Sequence, residues 1–356
     1  MKKRVAIIGS VGVPANYGGF ETLAEQLVRN LDKQFDLTVY CSSRSYPKKP
    51  QSFLGARLRY IPLKANGFQS VPYDIISILR AMFRHQTLLI LGVAGALILP
   101  FARLLPGRKF IVHIDGIEWR RDKWKWFAKR FLRFSEWLAV KMATEVVVDN
   151  FVLQRYVAVI HGKKARLIEY GADHVAAGTP PPSTSYPFTG KRYAFSVCRI
   201  VPENNIRTIL DAFGNFRDYP IVMVGNWNDS RYGQMVRARY NGGSNAYLLD
   251  PIYDQTVLDS LRQHCHVYVH GHSAGGTNPS LVEAMYLELP VVAYDVGFNR
   301  STMESEGFYF SSTKELVTQL EGLGDTELTQ ARSTLKQTAQ KRYLWKHIAQ
   351  RYAELF

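Results

Sequence analysis

Cysteine is scarce: Cys41, Cys198 and Cys265 are the only three in 356 residues, widely spaced and each beside apolar neighbours. So odd and scattered a set gives neither a disulfide framework nor a zinc site, and it fits a reducing compartment. Long apolar runs are also lacking. The most apolar stretch, Leu88–Ala102, ends at Arg103 after fifteen residues and contains Gly92, Gly95 and Pro100. A spanning helix needs about 20, so the stretch reads as a buried strand turning into a helix. Only four apolar residues, Val5 to Ile8, follow the basic start before Gly9, too few for a signal peptide, and a cytoplasmic protein is expected. No repeat of solenoid period and no Asp-x-Asp metal motif occur. What the chain does have is a core: 46% hydrophobic residues with 21% charged excludes wholesale disorder.

Acid is short in one half only. Residues 1–170 hold 28 Lys+Arg against 12 Asp+Glu, whereas residues 171–356 hold 17 against 18. A net charge of +15 confined in this way implies that the first half faces something anionic, such as a phospholipid surface, a phosphorylated acceptor or nucleic acid.

Short apolar runs alternate with helical periodicity on both sides of a turn-rich stretch around 178–187. The alternation predicts two α/β domains, each a doubly wound parallel sheet covered on both faces, with ligands at the carboxyl ends of the strands. The boundaries are 1–170, a linker at 171–192, 193–340, and a C-terminal helix at 341–356 that packs back on the first domain.

Five segments carry candidate chemistry. After the first strand, Gly9 to Phe20 is glycine-rich but lacks the dinucleotide fingerprint GxGxxG. Gly18-Gly19 before a helix would let an anionic or hydroxylated ligand approach backbone N–H groups, although an ordinary strand-to-helix connection explains it equally well. In His113-Ile-Asp115-Gly-Ile-Glu118, His113 and Asp115 lie two apart on a strand and share a face, and Asp115 and Glu118 fall at its carboxyl end. The bland alternatives are a core histidine and pairing of Glu118 or Asp115 with Arg120 or Arg121. Arg120 to Arg133 carries seven bases and one acid, Asp122, and Trp124, Phe127, Phe131, Phe134 and Leu138 repeat at helical spacing. That combination suits an anionic membrane surface, or the aromatics face the core.

In the second half, a strand ends at Arg199 and the loop Pro202-Glu-Asn204-Asn205 opens a helix, a place for a diphosphate. His272-Ser-Ala-Gly275-Gly276-Thr277-Asn278-Pro279 then sets proline at a first helical position. It exposes backbone donors, with Glu283 one turn in, placed to accept hydrogen bonds from ribose hydroxyls.

Taken together, Gly18-Gly19-Phe-Glu21, Asp115-Gly-Ile-Glu118-Trp, Pro202-Glu-Asn-Asn205 and Gly275 to Met285 resemble the family 4 retaining glycosyltransferases of GT-B fold, especially a bacterial rhamnosyltransferase-like branch. The resemblance implies two Rossmann-like domains facing across a cleft. Its implied donor set is Asn204, Asn205, His272, Gly275, Gly276, Thr277, Asn278 and Glu283. Arg199 would neutralise the diphosphate and, with Asp115 and Glu118, form the catalytic group; Gly18, Gly19 and His113 would line the acceptor side. It further implies a nucleotide-sugar donor, a lipid-linked saccharide acceptor, an anionic membrane surface as partner, peripheral attachment at the inner face of the plasma membrane, no resident metal or other cofactor, and no nucleic acid. This chain departs from the family pattern in having Asn204 where a lysine is usual, and Gly275 where a glutamate is usual. The second departure is compatible with a deoxy-sugar. A nucleotide-sugar epimerase and a basic membrane- or polyanion-binding protein are the rival readings.

Overall fold

A computed structural model describes residues 2–356 apart from Asn16, Tyr17, Asp122, Lys123, Ala177, Pro180, Ser183 and 242–244. The chain divides into two compact units, Met1–Tyr170 with Trp345–Phe356, and Gly171–Leu344.

The first unit runs β1 (Lys3–Ile8), α1 (Gly19–Leu31), β2 (Phe35–Ser42), β3 (Ser52–Phe53), β4 (Ala56–Ile61), α2 (Ser70–Met82), β5 (Thr87–Leu91), α3 (Leu99–Ala102), β6 (Lys109–Ile114), α4 (Trp126–Met142), β7 (Glu145–Val148), α5 (Phe151–His161) and β8 (Arg166–Leu167). Its sheet has the order β3-β4-β2-β1-β5-β6-β7-β8 and is parallel except for the β3–β4 pair. Near-continuous apolar runs such as Val5–Ile8 and Leu88–Leu91 are buried, as a sheet covered on both faces requires. On α1, Leu23, Leu27 and Leu31 repeat every four residues and are buried.

The second unit runs β9 (Ala194–Val197), α6 (Ile206–Asn215), β10 (Ile221–Val224), α7 (Arg231–Tyr240), β11 (Ala246–Leu249), α8 (Gln255–Gln263), β12 (Val267–His270), α9 (Pro279–Tyr286), β13 (Val291–Tyr294), α10 (Gly297–Thr302), β14 (Phe308–Phe310), α11 (Thr313–Gly322) and α12 (Asp325–Arg342). Its sheet, all parallel, has the order β11-β10-β9-β12-β13-β14. One side is sealed by Phe213, Phe216, Met223 and Trp227, and the Trp227 indole N–H donates to Leu249 O at 2.8 Å.

The last helix, α13 (Trp345–Leu355), belongs to the first unit and packs on α1. Thr87 Oγ1 donates to Phe356 O at 3.0 Å there. The stretch 171–192, expected to be a linker, is instead packed into the second unit. Ala172 N–H donates to Tyr343 O at 2.7 Å and Gly178 N–H to Gln263 Oε1 at 3.0 Å. Phe188 is buried, with its ring centroid 5.1 Å from that of Tyr193 and 5.0 Å from that of Tyr247. Its prolines and serines suggest a free connection, but the aromatic anchors override that composition. Ala177, Pro180 and Ser183 lie outside the described residues.

Candidate functional site

In the second unit the chain moves outward from β9 through β10 and β11, then returns to the other side of β9 with β12. Order therefore reverses between β9 and β12, and doubly wound sheets bind ligands at the carboxyl edge of such a switch point. The loops leaving these two strands carry Arg199 to Asn205 and Gly271 to Asn278.

The two loops are laced together. Asn205 adopts the left-handed conformation (φ 52°) and its amide donates to Gly271 O at 2.9 Å. Ser273 donates twice to Glu203 O, from its N–H at 2.9 Å and from Oγ at 2.7 Å. A Cβ on residue 271 would fall 2.2 Å from Asn204 O, so the backbones approach at a distance only glycine allows. Asn204 Nδ2 closes its own loop on Arg199 O at 2.7 Å. The Arg199 side chain is exposed and has no ion-pair partner among the described residues. Pro279 occupies the first turn of α9, and the side chain of its N-cap residue, Asn278, makes no capping hydrogen bond. An exposed guanidinium and a helix start whose N-cap side chain makes no capping bond thus flank one switch point, a combination suited to a diphosphate.

Glu283, on the next turn of α9, is nearly buried. One carboxylate oxygen pairs with Arg262 Nη1, and the other lies 3.3 Å from His174 Nε2. Burial pushes its carboxyl up, but Arg262 and then His174 more than reverse this and hold it well below the usual range. Arg262 is itself buried and also faces Asp259 at 3.9 Å. Asn299 Nδ2 donates to His272 O at 2.9 Å and to Tyr294 O at 2.8 Å, tying α10 under the loop. His272 stacks on His270, ring centroids 4.4 Å apart. Burial pushes His270 down to about 3, so its ring is neutral.

In the first unit the order reverses between β1 and β5. Gly9 follows β1 with φ 98°, and a Cβ there would meet Leu91 O at 2.1 Å. Gly18 (φ 136°) is crowded by Glu21, whose Oε2 would lie 2.0 Å from an added Cβ; Glu21 Oε1 accepts from Val11 N–H at 2.6 Å. A carboxylate of the chain itself therefore stands at the start of α1. That corrects the anionic half of the reading at Gly18-Gly19 and leaves the hydroxylated ligand. His113 is 1% exposed, shares a 2.9 Å hydrogen bond through Nδ1 with Tyr352 Oη, and lies edge-on to Phe20. Burial pushes it down to about 3. β6 ends at Ile114, so Asp115 lies one residue beyond it and is half-buried, not on a common strand face with His113. Glu118 is engaged locally, by Arg121 Nε at 2.8 Å and Trp124 Nε1 at 3.0 Å, the ion-pair alternative that its neighbours suggested. Among the described residues no group of three or more His, Cys, Asp or Glu is placed to hold a metal ion.

Residues 184–342 match the family described as Glycosyl transferases group 1. This match covers most of the second unit. Residues 2–173 match a domain of unknown function, DUF1972. No curated protein matches the chain. Among solved structures it is similar to sucrose-phosphate synthase from Thermosynechococcus elongatus (TM-score 0.83, 16% identity, 99% of this chain and 98% of that one). It is also similar to Anabaena HepE in complex with UDP (TM-score 0.71, 15% identity, 99% of both chains). A third similarity is to an E. coli trehalose-6-phosphate structure bound with UDP-2-fluoro glucose (TM-score 0.72, 11% identity, 99% of both chains). The fold is the two-domain parallel α/β fold of GT-B glycosyltransferases.

Within the second unit, Arg199, Asn204, Asn205, His272, Gly275, Gly276, Thr277, Asn278 and Glu283 all fall on the loops after β9 and β12 or on α9. Gly18, Gly19, His113, Asp115 and Glu118 belong to the first unit. Sequence reasoning passed over Arg262, His174 and Asn299. Arg262 did leave a signal: it follows Leu258 by four residues on α8, a charge set into an apolar stripe.

Proposed function

We propose that the chain is a retaining glycosyltransferase whose second unit holds a nucleoside-diphosphate sugar. The observation that carries this reading is that the exposed Arg199, with no ion-pair partner among the described residues, and the start of α9 lie on two laced loops at the switch point between β9 and β12. The UDP and UDP-2-fluoro glucose bound by two structures of the same fold support a nucleotide-sugar. In the proposed reaction the bond from the anomeric carbon to the diphosphate breaks as an acceptor oxygen bonds to that carbon on the same face. Arg199 and the α9 amides take up the charge developing on the diphosphate, and the acceptor's proton passes to the departing phosphate oxygen. Glu283, held ionised by Arg262, accepts from ribose hydroxyls.

Gly275, in place of a carboxylate aimed at sugar hydroxyls, supports a deoxy-sugar such as rhamnose from dTDP-rhamnose. The cationic first half supports a lipid-linked saccharide acceptor at the cytoplasmic leaflet, as in cell-surface polysaccharide synthesis, with the protein peripheral there. Positive charge supplied by Arg199 and α9 makes a resident metal unnecessary in this scheme. Thermal-shift titration with dTDP- and UDP-sugars tests the donor site, because a ligand of the native state raises its stability. Arg199→Ala is expected to lose the shift and at least about a hundredfold of transfer, a ΔΔG‡ of about 2.7 kcal/mol, while its unfolding midpoint stays. Normal turnover in that variant refutes the diphosphate role. Interconversion of sugars without acceptor identifies an epimerase instead.

A further inference from the structure

Helix α4 keeps its large aromatics outward. Its inner side buries Leu138, Ala139 and Val140 together with Ser135, whose Oγ donates to Val93 O at 2.5 Å. Beside it lies Glu136, its one acid, which is 2% exposed and accepts from Tyr156 Oη at 2.6 Å, with His161 Nε2 at 3.0 Å. The outer side carries Trp126, Phe127, Phe134 and Trp137, exposed by 59%, 77%, 52% and 44%. Of the stripe read from sequence, only Leu138 is buried, with Trp124 and Phe131 half-buried, so its aromatics are not fully buried core residues. Arg130, Arg133 and Lys141 are exposed on the same stripe, each four residues from a tryptophan. The bases sit against rings: Arg130 is 5.3 Å from the Trp126 centroid, and Lys141 is 4.8 Å from that of Trp137. α3, which packs on α4, adds exposed Phe101, with Leu104 just beyond it.

We infer that the outer face of α4 is a docking surface for an anionic lipid bilayer, on which the helix lies in the plane of the headgroups. The inference rests on the membrane-linked reading of the function above and assigns the surface that makes the contact. Charge complementarity selects the occupant. The exposed stripe carries bases and no acid, and interfacial helices combine large aromatics with Lys and Arg so that apolar burial and attraction to anionic lipid add. A polyanion alone would use the bases but leave four large aromatics unexplained. No helix among the described residues is long and apolar enough to cross a membrane, which fits a helix lying on the surface.

The test is flotation of the full chain with phosphatidylcholine vesicles, with and without phosphatidylglycerol, at physiological and high salt. The wild type is expected to partition into the anionic vesicles at least about tenfold better than into neutral ones, since Arg130, Arg133 and Lys141 are each attracted to the anionic headgroups. Phe127→Ser with Phe134→Ser is expected to lose about tenfold or more of that partitioning, and Arg130→Gln with Arg133→Gln to lose the preference for anionic lipid. All variants keep the wild-type unfolding midpoint, because the changed side chains are exposed. Equal partitioning of the wild type into neutral vesicles, or undiminished binding by the double serine variant, overturns the inference, as does binding to duplex DNA stronger than to vesicles. Turnover of nucleotide-sugar with a water-soluble acceptor is read in parallel. Turnover without vesicle binding sinks the surface and leaves the transferase standing, whereas vesicle binding without any turnover does the reverse.

Discussion

Replacing Arg262 by Met probes the ion pair beneath the proposed donor site. The Arg262 side chain is 1% exposed and that of Glu283 11%, so solvent does little to screen them. Glu283 is held down to about 2 against an ordinary 4.5. At about 1.4 kcal/mol per pH unit that is on the order of 3 kcal/mol. Breaking a buried pair by removing one partner costs a similar ~3–5 kcal/mol, because the other charge is left stranded. Asp259, already pushed up by burial, loses its neighbour as well. We therefore expect Arg262→Met to destabilise the second unit by about 3–5 kcal/mol at neutral pH.

The pH dependence separates this from a packing defect. A carboxylate depressed in the folded state contributes stability above its unfolded pKa and loses it as pH falls toward the folded value, so the wild type weakens between about 4.5 and about 2. In the variant, burial raises Glu283 and only His174 still opposes it. Its deficit against wild type is therefore expected to narrow on mild acidification, as the stranded carboxylate takes up a proton. Urea unfolding at neutral pH and near pH 5 reads both effects. Adding Glu283→Gln removes the stranded charge and is expected to restore more than half of the loss. A single-variant cost below about 1 kcal/mol, the value of an exposed pair, would refute the reasoning, and so would a deficit that does not change with pH.

Gly271→Ala forces a Cβ to within 2.2 Å of Asn204 O and 2.7 Å of Ile209 Cδ1. Overpacking of this kind costs about 1–3 kcal/mol, and parting the two loops is expected to weaken donor binding by calorimetry at least about tenfold, or 1.4 kcal/mol; unchanged affinity would show that the lacing does not shape the site. His113 and His270 are each pushed down to about 3 by burial, so they are neutral when folded and become protonated on unfolding below their ordinary 6.5. Stability is then expected to fall by about 1.4 kcal/mol per pH unit for each as pH drops from 6.5 toward 3; a urea midpoint that stays flat across this range would count against their burial as neutral rings.

The alternation of strands and helices was legible because each buried strand is a short apolar run and most helices carry a stripe of 3.6 periodicity. Elements without such patterns were missed. α7, Arg-Tyr-Gly-Gln-Met-Val-Arg-Ala-Arg-Tyr, is polar almost all round and is announced only by its cap, Ser230 Oγ accepting from Gly233 N–H at 3.1 Å. The short edge pair β3 and β4 lies among turn formers. The loops after β9 and β12 were legible for a different reason: glycine, asparagine and proline at a strand end are local punctuation, readable without knowing what lies across the fold.

Partners distant in sequence are another matter. Glu283 reads as a carboxylate one turn into a helix, and nothing in its neighbourhood names Arg262, twenty-one residues earlier on α8. The same holds for α4. Phe127, Phe131, Phe134 and Leu138 at helical spacing are compatible with either an inward or an outward face, because periodicity fixes only the direction of a stripe relative to its own helix. What decides the outcome is the polar side. Ser135 and Glu136 must be satisfied if buried, and they are, by Val93 O from one loop and by Tyr156 and His161 from α5. With those partners in place, and with the small or aliphatic Leu138, Ala139 and Val140 buried beside them, the aromatics opposite are carried to the surface.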